Sequence, residues 1–165
     1  MNSRALSTKT KAQLNDHFKL VDLGDINWLL GVSVTQDLIN HTISLGQQSY
    51  IELMLTHFGL TDARPAPTPI EPGADYHLDS PSMSPTSLTP TENMTFREMI
   101  GSLMYCATMT CPDIAYAVSM LSQFLETPHT TYLKAVKHIF CYLLGTKHLK
   151  LVLGGELFCR LFLRL

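Results

Sequence analysis

The sequence predicts an α+β protein in which a short β-hairpin with flanking helices precedes a small three-helix bundle. Apolar residues recur at every third or fourth position within residues 93–150, which is typical of amphipathic helices. β-branched and aromatic residues cluster within residues 26–45, which is typical of strands. Seven of the nine prolines fall between Ala63 and Pro90, which indicates a connecting segment. We therefore predict an N-terminal part at 1–62, a flexible Pro/Ser-rich linker at 63–92, a three-helix part at 93–150 and a divergent, truncated tail at 151–165.

Two prolines divide the predicted helical part. Gly101 lies within the apolar pattern of the first helix, and it predicts a close contact between helices. The second helix is expected to begin at Pro112, since a proline at the first helical position gives up an N–H that has no intrahelical partner. Thr127, directly before Pro128, is the candidate N-cap of the third helix.

The N-terminal part is predicted to contain a helix, a hairpin and a second helix. Ser7 is the candidate cap of the first helix, and Trp28 is expected in the core of the hairpin. Gly31, inside the first strand, predicts a bulge or the close approach of another backbone. The expected elements are a helix at 7–19, strands at 26–35 and 42–45, and a helix at 48–58.

Charge is unevenly distributed along the chain, although the formal net charge is only −2. The segment between Glu126 and Glu156 contains four lysines, three histidines and no acid. Residues 61–92, by contrast, hold five acids and a single basic residue, Arg64. The positive segment is suited to binding phosphate, but four lysines by themselves are more typical of a solvated helix face.

Several classes of function lack their sequence signals. The four cysteines show no C-x-x-C spacing, and His138 with Cys141 has no evident further ligands, so we expect reduced thiols and no metal site. Phosphate-binding glycine loops, G-x-S-x-G and H-E-x-x-H are absent. The longest uncharged run of the helical part, residues 99–112, is too short to cross a bilayer, and no secretory signal is present. We therefore expect no membrane partner and an intracellular location, in the cytoplasm or the nucleus.

Several sequence blocks resemble the copia-type retrotransposon Pol polyprotein. The resemblance implies the C-terminal part of a reverse transcriptase, with the end of the palm lobe, a connection and the thumb, truncated before RNase H. The family usually has Arg where this chain has Cys111. A contact made by that arginine in the family therefore cannot be assigned to Cys111. The blocks are Phe96-Arg97, Gly101-Ser102-Leu103-Met104-Tyr105, Pro112-Asp113-Ile114-Ala115-Tyr116-Ala117-Val118, Tyr142-Leu143, Gly145-Thr146-Lys147 and, upstream, Val21-Asp22-Leu23-Gly24-Asp25, Trp28-Leu29-Leu30-Gly31-Val32 and Pro67-Thr68-Pro69.

The resemblance implies two sets of nucleic-acid-binding residues. Leu30 and Gly31 match the hairpin that lies against the primer terminus in such polymerases, although a hydrophobic hairpin with a bulge explains the same residues. Lys134, Lys137 and Lys147 would contact phosphates of the template–primer, an RNA–DNA or DNA duplex, and Lys150 extends the same positive segment.

No catalytic residue is expected in this chain. Polymerases hold two metal ions between converging carboxylates, and the family supplies them from a Tyr-x-Asp-Asp hairpin. The chain contains no Asp-Asp pair, and Asp22 and Asp25 are interpreted as turn and capping residues. We therefore expect no cofactor here, since magnesium would belong to the missing catalytic part.

The resulting hypothesis is a reverse transcriptase fragment that positions the template–primer duplex and is inactive alone. Two alternatives stay open. One is a non-enzymatic helical interaction module that packs against the missing parts of the polymerase, and the other is a functionless pseudogene product. A chain separated from the rest of its fold should expose apolar side chains, with Leu29, Val32, Val34 and Leu55 as the expected ones.

Overall fold

A computed structural model describes residues 3–21, 24–73 and 87–155, and it confirms the α+β class. Within these ranges, five α-helices and one 3-10 turn accompany a four-stranded antiparallel sheet of order β1-β2-β3-β4. The elements are α1 Ser3–His17, β1 Trp28–Leu29, β2 Val32–Asp37, β3 Thr42–Gly46, α2 Gln48–His57, α3 Pro90–Met109, the 3-10 turn Pro112–Ile114, α4 Ala115–Ser122, α5 Thr130–Thr146 and β4 Leu151–Gly154. The expectations for Asp22, for residues 74–86 of the linker and for the tail after residue 155 lie outside the described residues.

Four helices, rather than three, share the main hydrophobic core. Phe96 and Leu103 of α3 are fully buried together with Val136 and Phe140 of α5. Leu55 and its neighbours bring α2 into the same cluster, and α2 packs directly against α5. In the described residues the three C-terminal helices therefore bury their apolar faces with the help of a helix from the predicted N-terminal part. The division at residue 62 stays a prediction about the organisation of the chain.

Helix α3 begins earlier than the apolar pattern indicates, because a capping box defines its start. The Thr89 hydroxyl accepts a hydrogen bond from the Glu92 backbone N–H, and the Glu92 carboxylate accepts one from the Thr89 backbone N–H. Pro90 occupies the first helical position, where it is well tolerated. The interhelical contact predicted for Gly101 is wrong, since this residue is exposed and a Cβ there would meet nothing within 4 Å.

Both proline joints differ in detail from the prediction. Pro112 begins the 3-10 turn, and the α-helix itself starts at Ala115. Thr127 is not the cap of α5, because His129 remains extended and pairs with Ser87 in an isolated bridge before the helix begins at Thr130.

The predicted first strand is broken by a tight turn. β1 pairs with β2 through Trp28 opposite Ser33 and Leu29 opposite Val32, which leaves Leu30 and Gly31 as a two-residue loop. Two-residue loops of this kind favour positive φ, and Leu30 has φ 50° while Gly31 has φ 80°. Gly31 is therefore a turn residue and not a bulge. Trp28 does not join the core as expected, because 54% of its surface is exposed.

The chain returns to the sheet after α5, and the first four residues of the predicted divergent tail form a strand. β4 pairs with β3 through Leu151 opposite Leu45 and Leu153 opposite Ile43. A four-residue strand that ends in one glycine and is followed by another has too little pattern to be recognised. Gly154 is required at its end, since it has φ 96° and a Cβ there would collide with the carbonyl oxygen of His41.

The beginning of the predicted flexible linker lies against α5. The Ala66 N–H donates a hydrogen bond of 3.1 Å to the Cys141 carbonyl. The His138 Nε2 lies 3.0 Å from the Thr68 carbonyl oxygen. A Cβ at Gly145 would come within 3.2 Å of the Pro65 Cβ, so the glycine allows this close approach. These residues have fixed contacts where the composition predicts an unstructured connection.

Candidate nucleic-acid interface

The Leu30–Gly31 turn projects from the sheet and is attached to α3. Leu30 leaves 74% of its surface exposed, so its side chain contributes little to folding. The Tyr105 hydroxyl donates a hydrogen bond to the Leu30 carbonyl oxygen. A Cβ at Gly31 would lie 3.7 Å from this hydroxyl, which leaves room, but the φ of 80° disfavours any other residue.

Tyr105 connects the turn with two helices. It belongs to α3 and is half buried, and its ring lies edge-on against the Tyr50 ring of α2 with 4.9 Å between centroids. Burial raises the pKa of Tyr50, which keeps this phenol neutral. The sequence indicates nothing of the role of Tyr105, because a tyrosine at the margin of an apolar helix face is an ordinary amphipathic position.

Lys134 and Lys137 lie one turn apart on α5, and both side chains are exposed. The residue directly before each lysine is buried in the core, Leu133 before Lys134 and Val136 before Lys137. The lysines therefore occupy the outward face of the helix. Lys137 also interacts with Glu92 at the start of α3. Hydrogen bonds from Thr89 are the main cause that lowers the pKa of Glu92, and the positive charge of Lys137 adds to them.

Lys147 differs from these two lysines because it forms a close ion pair. Its Nζ lies 2.9 Å from the Glu52 Oε1 of α2. This contact is the largest cause that lowers the pKa of Glu52, followed by the hydrogen bond from Gln48. A phosphate would have to compete with Glu52 for Lys147. Lys150 is exposed, and its aliphatic stem lies over Gly46, where a Cβ would come within 3.2 Å of the Lys150 Cγ.

The predicted residues thus form two surfaces rather than one pocket. Lys134 and Lys137 share one face of α5, whereas Leu30 and Gly31 contact α3 through Tyr105. Among the described residues, no hydrogen bond or ion pair joins the turn to the lysines of α5. Both surfaces are nevertheless carried by helices of the same core, because α3 packs against α5.

Residues 3–21, 24–73 and 87–155 contain no group of three or more His, Cys, Asp or Glu side chains that could hold a metal ion. The His138 ring contacts the carbonyl oxygen of Thr68 in the linker. Cys106, Cys111 and Cys141 are free thiols. A hydrogen bond between two of these thiols lowers the pKa of Cys111 and raises that of Cys106. The helices that the structure describes include none long and apolar enough to cross a membrane.

Comparison with known proteins identifies the family. Residues 2–72 match the family described as reverse transcriptase (RNA-dependent DNA polymerase). The chain is 36% identical to the retrovirus-related Pol polyprotein from transposon TNT 1-94 of Nicotiana tabacum over 156 residues, which cover 93% of this chain and 12% of that protein. It is also 36% identical to the Pol polyprotein from transposon RE1 of Arabidopsis thaliana over 146 residues, covering 88% of this chain and 9% of the relative.

A shorter relative covers a similar region. An uncharacterized mitochondrial protein of Arabidopsis thaliana is 30% identical over 134 residues, which amount to 81% of this chain and 52% of that protein. No solved structure was found to match the chain. The chain spans about a tenth of the length of the two Pol polyproteins. It belongs to the copia-type retrotransposon Pol family, in the reverse transcriptase part of the polyprotein.

Proposed function

We propose that this chain holds the template–primer duplex of a copia-type reverse transcriptase. The observation that carries the proposal is the exposed pair Lys134 and Lys137, which lies on one face of α5 within a segment free of acids. Phosphate contacts from lysine are the main source of sequence-independent affinity for nucleic acids, because they release condensed counterions. A helix face of this kind suits a protein that must hold any duplex, whatever its sequence.

The Leu30–Gly31 turn would provide a second, uncharged contact. Leu30 is apolar and exposed, so its side chain is available to pack against a sugar or a base rather than a phosphate. The phosphate contacts would then fix the duplex on the helical core, while the turn touches one strand. Lys147 and Lys150 are secondary in this proposal, because Lys147 already pairs with Glu52.

Catalysis is proposed to come from elsewhere in the polyprotein. The sequence has no adjacent aspartates for a two-metal site, and we expect magnesium to bind only where such a site exists. The purified chain should therefore not extend a primer in the presence of magnesium and all four nucleotides. Incorporation that disappears on chelation of the metal would contradict this part of the proposal.

Binding is tested by fluorescence anisotropy with a labelled RNA–DNA duplex at low salt. K134A/K137A should weaken binding about tenfold or more, since each contact of a charged group is worth about 1 kcal/mol or more. The matched control is K9A/K19A, which removes two exposed lysines in or just after α1 and keeps the same net charge as the test variant. Equal affinities for the two double variants would contradict a specific role of α5.

One observation favours the alternative function, an interaction module that packs on the missing parts of the polymerase. The strand register places seven apolar residues on one face of the sheet, and three of them are exposed: the seven are Leu29, Val32, Val34, Ile43, Leu45, Leu151 and Leu153. The exposed ones are Leu29, Ile43 and Leu153, whereas Val32 and Leu55, which were expected to be exposed as well, are buried. If the chain binds no nucleic acid but self-associates through this face, the interaction module is the better account.

A further inference from the structure

We propose that Tyr105 is a positioning residue that holds the Leu30–Gly31 turn on the helical core and so fixes where the Leu30 side chain meets a bound nucleic-acid strand. This inference rests on the proposed function, and it adds a residue of α3 to the two surfaces described above. Its basis is the hydrogen bond from the Tyr105 hydroxyl to the Leu30 carbonyl, which joins residues 75 positions apart in the chain.

The sheet alone gives the turn little support. β1 has only two residues, and both of them, Trp28 and Leu29, are exposed for about half of their surface. β1 is also the edge strand of the sheet, so it pairs with β2 alone. A two-residue edge strand cannot hold a turn rigidly by its own hydrogen bonds. The contact with Tyr105 therefore attaches this turn to α3, in addition to the buried Val32 that follows the turn.

Tyr105 is itself well placed to transmit this support. Its neighbours on α3, Leu103 and Cys106, are fully buried, and its ring packs edge-on against Tyr50 of α2. The hydroxyl is thus fixed relative to both helices, and through the contact between α3 and α5 it is fixed relative to the lysine face. A contact made by Leu30 and a contact made by Lys134 would then lie at a constant separation.

The presence of leucine at the first position of the turn also supports a ligand contact by Leu30. Positive φ at the first loop position is disfavoured for a bulky residue such as Leu, whereas Asn is well suited to precede Gly in a two-residue hairpin loop. Leu30 nevertheless occupies this position with φ 50°, and its exposed side chain gains little from packing. A strained and exposed apolar residue is the pattern expected when the side chain serves a ligand.

The two surfaces differ in chemistry, and this allows them to be separated experimentally. Phosphate contacts made by lysine depend on salt, whereas an apolar contact made by Leu30 does not release counterions. Y105F removes the hydroxyl and keeps the ring against Tyr50. We expect Y105F to weaken binding of the RNA–DNA duplex roughly three- to tenfold, as for loss of one hydrogen bond, with an unchanged slope of log affinity against log salt.

The matched controls are Y116F, at an exposed tyrosine of α4, and L38N, at a leucine as exposed as Leu30 but in the β2–β3 turn. Both should bind as the wild type does. L30N should lose affinity to a similar extent as Y105F, and Y105F should cause no additional loss in an L30N background, because Tyr105 acts through the turn. Additive losses would overturn the positioning role.

Two results separate this inference from the proposed function. If Y105F binds like the wild type while K134A/K137A loses affinity, the inference fails and the proposed function stands. If the wild-type chain binds no duplex, the proposed function fails, and so does the ligand contact assigned to Leu30. Amide hydrogen exchange then tests the remaining claim: faster exchange at residues 28–33 in Y105F supports the attachment of the turn, and unchanged exchange overturns it.

Discussion

The helical core of this protein buries its large apolar residues, whereas the sheet leaves several of them exposed. Phe96, Leu103 and Phe140 are fully buried among α2, α3, α4 and α5, so the helices satisfy one another within the chain. The sheet leaves Trp28, Leu29 and Leu153 exposed for roughly half of their surface. The helices thus bury most of their apolar side chains against one another, although Leu53 and Tyr116 stay exposed, whereas the sheet keeps several apolar side chains on its surface.

The largest effect is expected where the helical core is most tightly packed. F140A should destabilise the protein by about 3–5 kcal/mol, because it removes a buried ring and leaves a cavity. Phe140 is fully buried and lies edge-on to Phe58, with 5.2 Å between ring centroids. Urea denaturation measures the effect, with L53A at the exposed side of α2 as the control, expected within about 0.5 kcal/mol of wild type. A small effect of F140A would contradict the tight packing of the helical core.

The next largest effect is expected at the hydrogen bond that joins the two regions. Thr110, just after α3, donates from its hydroxyl to the Gln47 Oε1 at 2.7 Å, and Gln47 lies between β3 and α2. T110V should cost about 1–3 kcal/mol, since it leaves a buried amide oxygen without this donor.

The control for this bond is T108V, which alters an exposed threonine that bonds only within its own helix. T110V should also speed amide exchange at residues 42–48, where β3 joins α2. Equal unfolding midpoints for T110V and T108V would show that the junction does not depend on this bond.

A smaller effect is expected at the start of α3. T89A removes the capping hydroxyl and should cost about 1 kcal/mol at pH 7. Hydrogen bonds from Thr89 hold the pKa of Glu92 below its ordinary value of 4.5, so this carboxylate contributes stability above that value and loses it as the pH falls through the lowered pKa. Wild type and E92Q should therefore differ at pH 7 and converge in acid. T91A is the control, and a gap between wild type and E92Q that persists at pH 2 would argue against the capping box as its cause.

The smallest effect is expected at the exposed turn of the sheet. L30N replaces a strained leucine with a residue that favours positive φ before Gly31, so it should raise stability by up to about 1 kcal/mol. The measurement is the urea midpoint of L30N beside that of L38N, which alters a leucine of similar exposure outside this turn. If L30N is the less stable variant, Leu30 has a structural role, and the assignment of its side chain to a ligand loses its main support.

The same contrast explains how much the sequence could predict. Helical periodicity revealed the helices, because burial on one face leaves a repeating pattern in the residues. Three features could not be predicted: the contribution of α2 to the core, the pairing of Leu151–Gly154 with β3, and the contact between Tyr105 and Leu30. Each of these features joins residues far apart in the chain, and a local sequence pattern does not predict such a contact. Gly101 was misread for a related reason, since a glycine on an exposed helix face looks the same in sequence as one at an interface.

The most direct test of the central claim, that the outward face of α5 holds duplex phosphates, is the salt dependence of binding. The dissociation constant for an RNA–DNA duplex would be measured between about 50 and 200 mM salt for wild type, K134A/K137A and K9A/K19A. Two lost phosphate contacts should reduce the log–log slope of K134A/K137A by about 1.8 relative to wild type, while K9A/K19A keeps the wild-type slope. Identical slopes for wild type and K134A/K137A would contradict the claim.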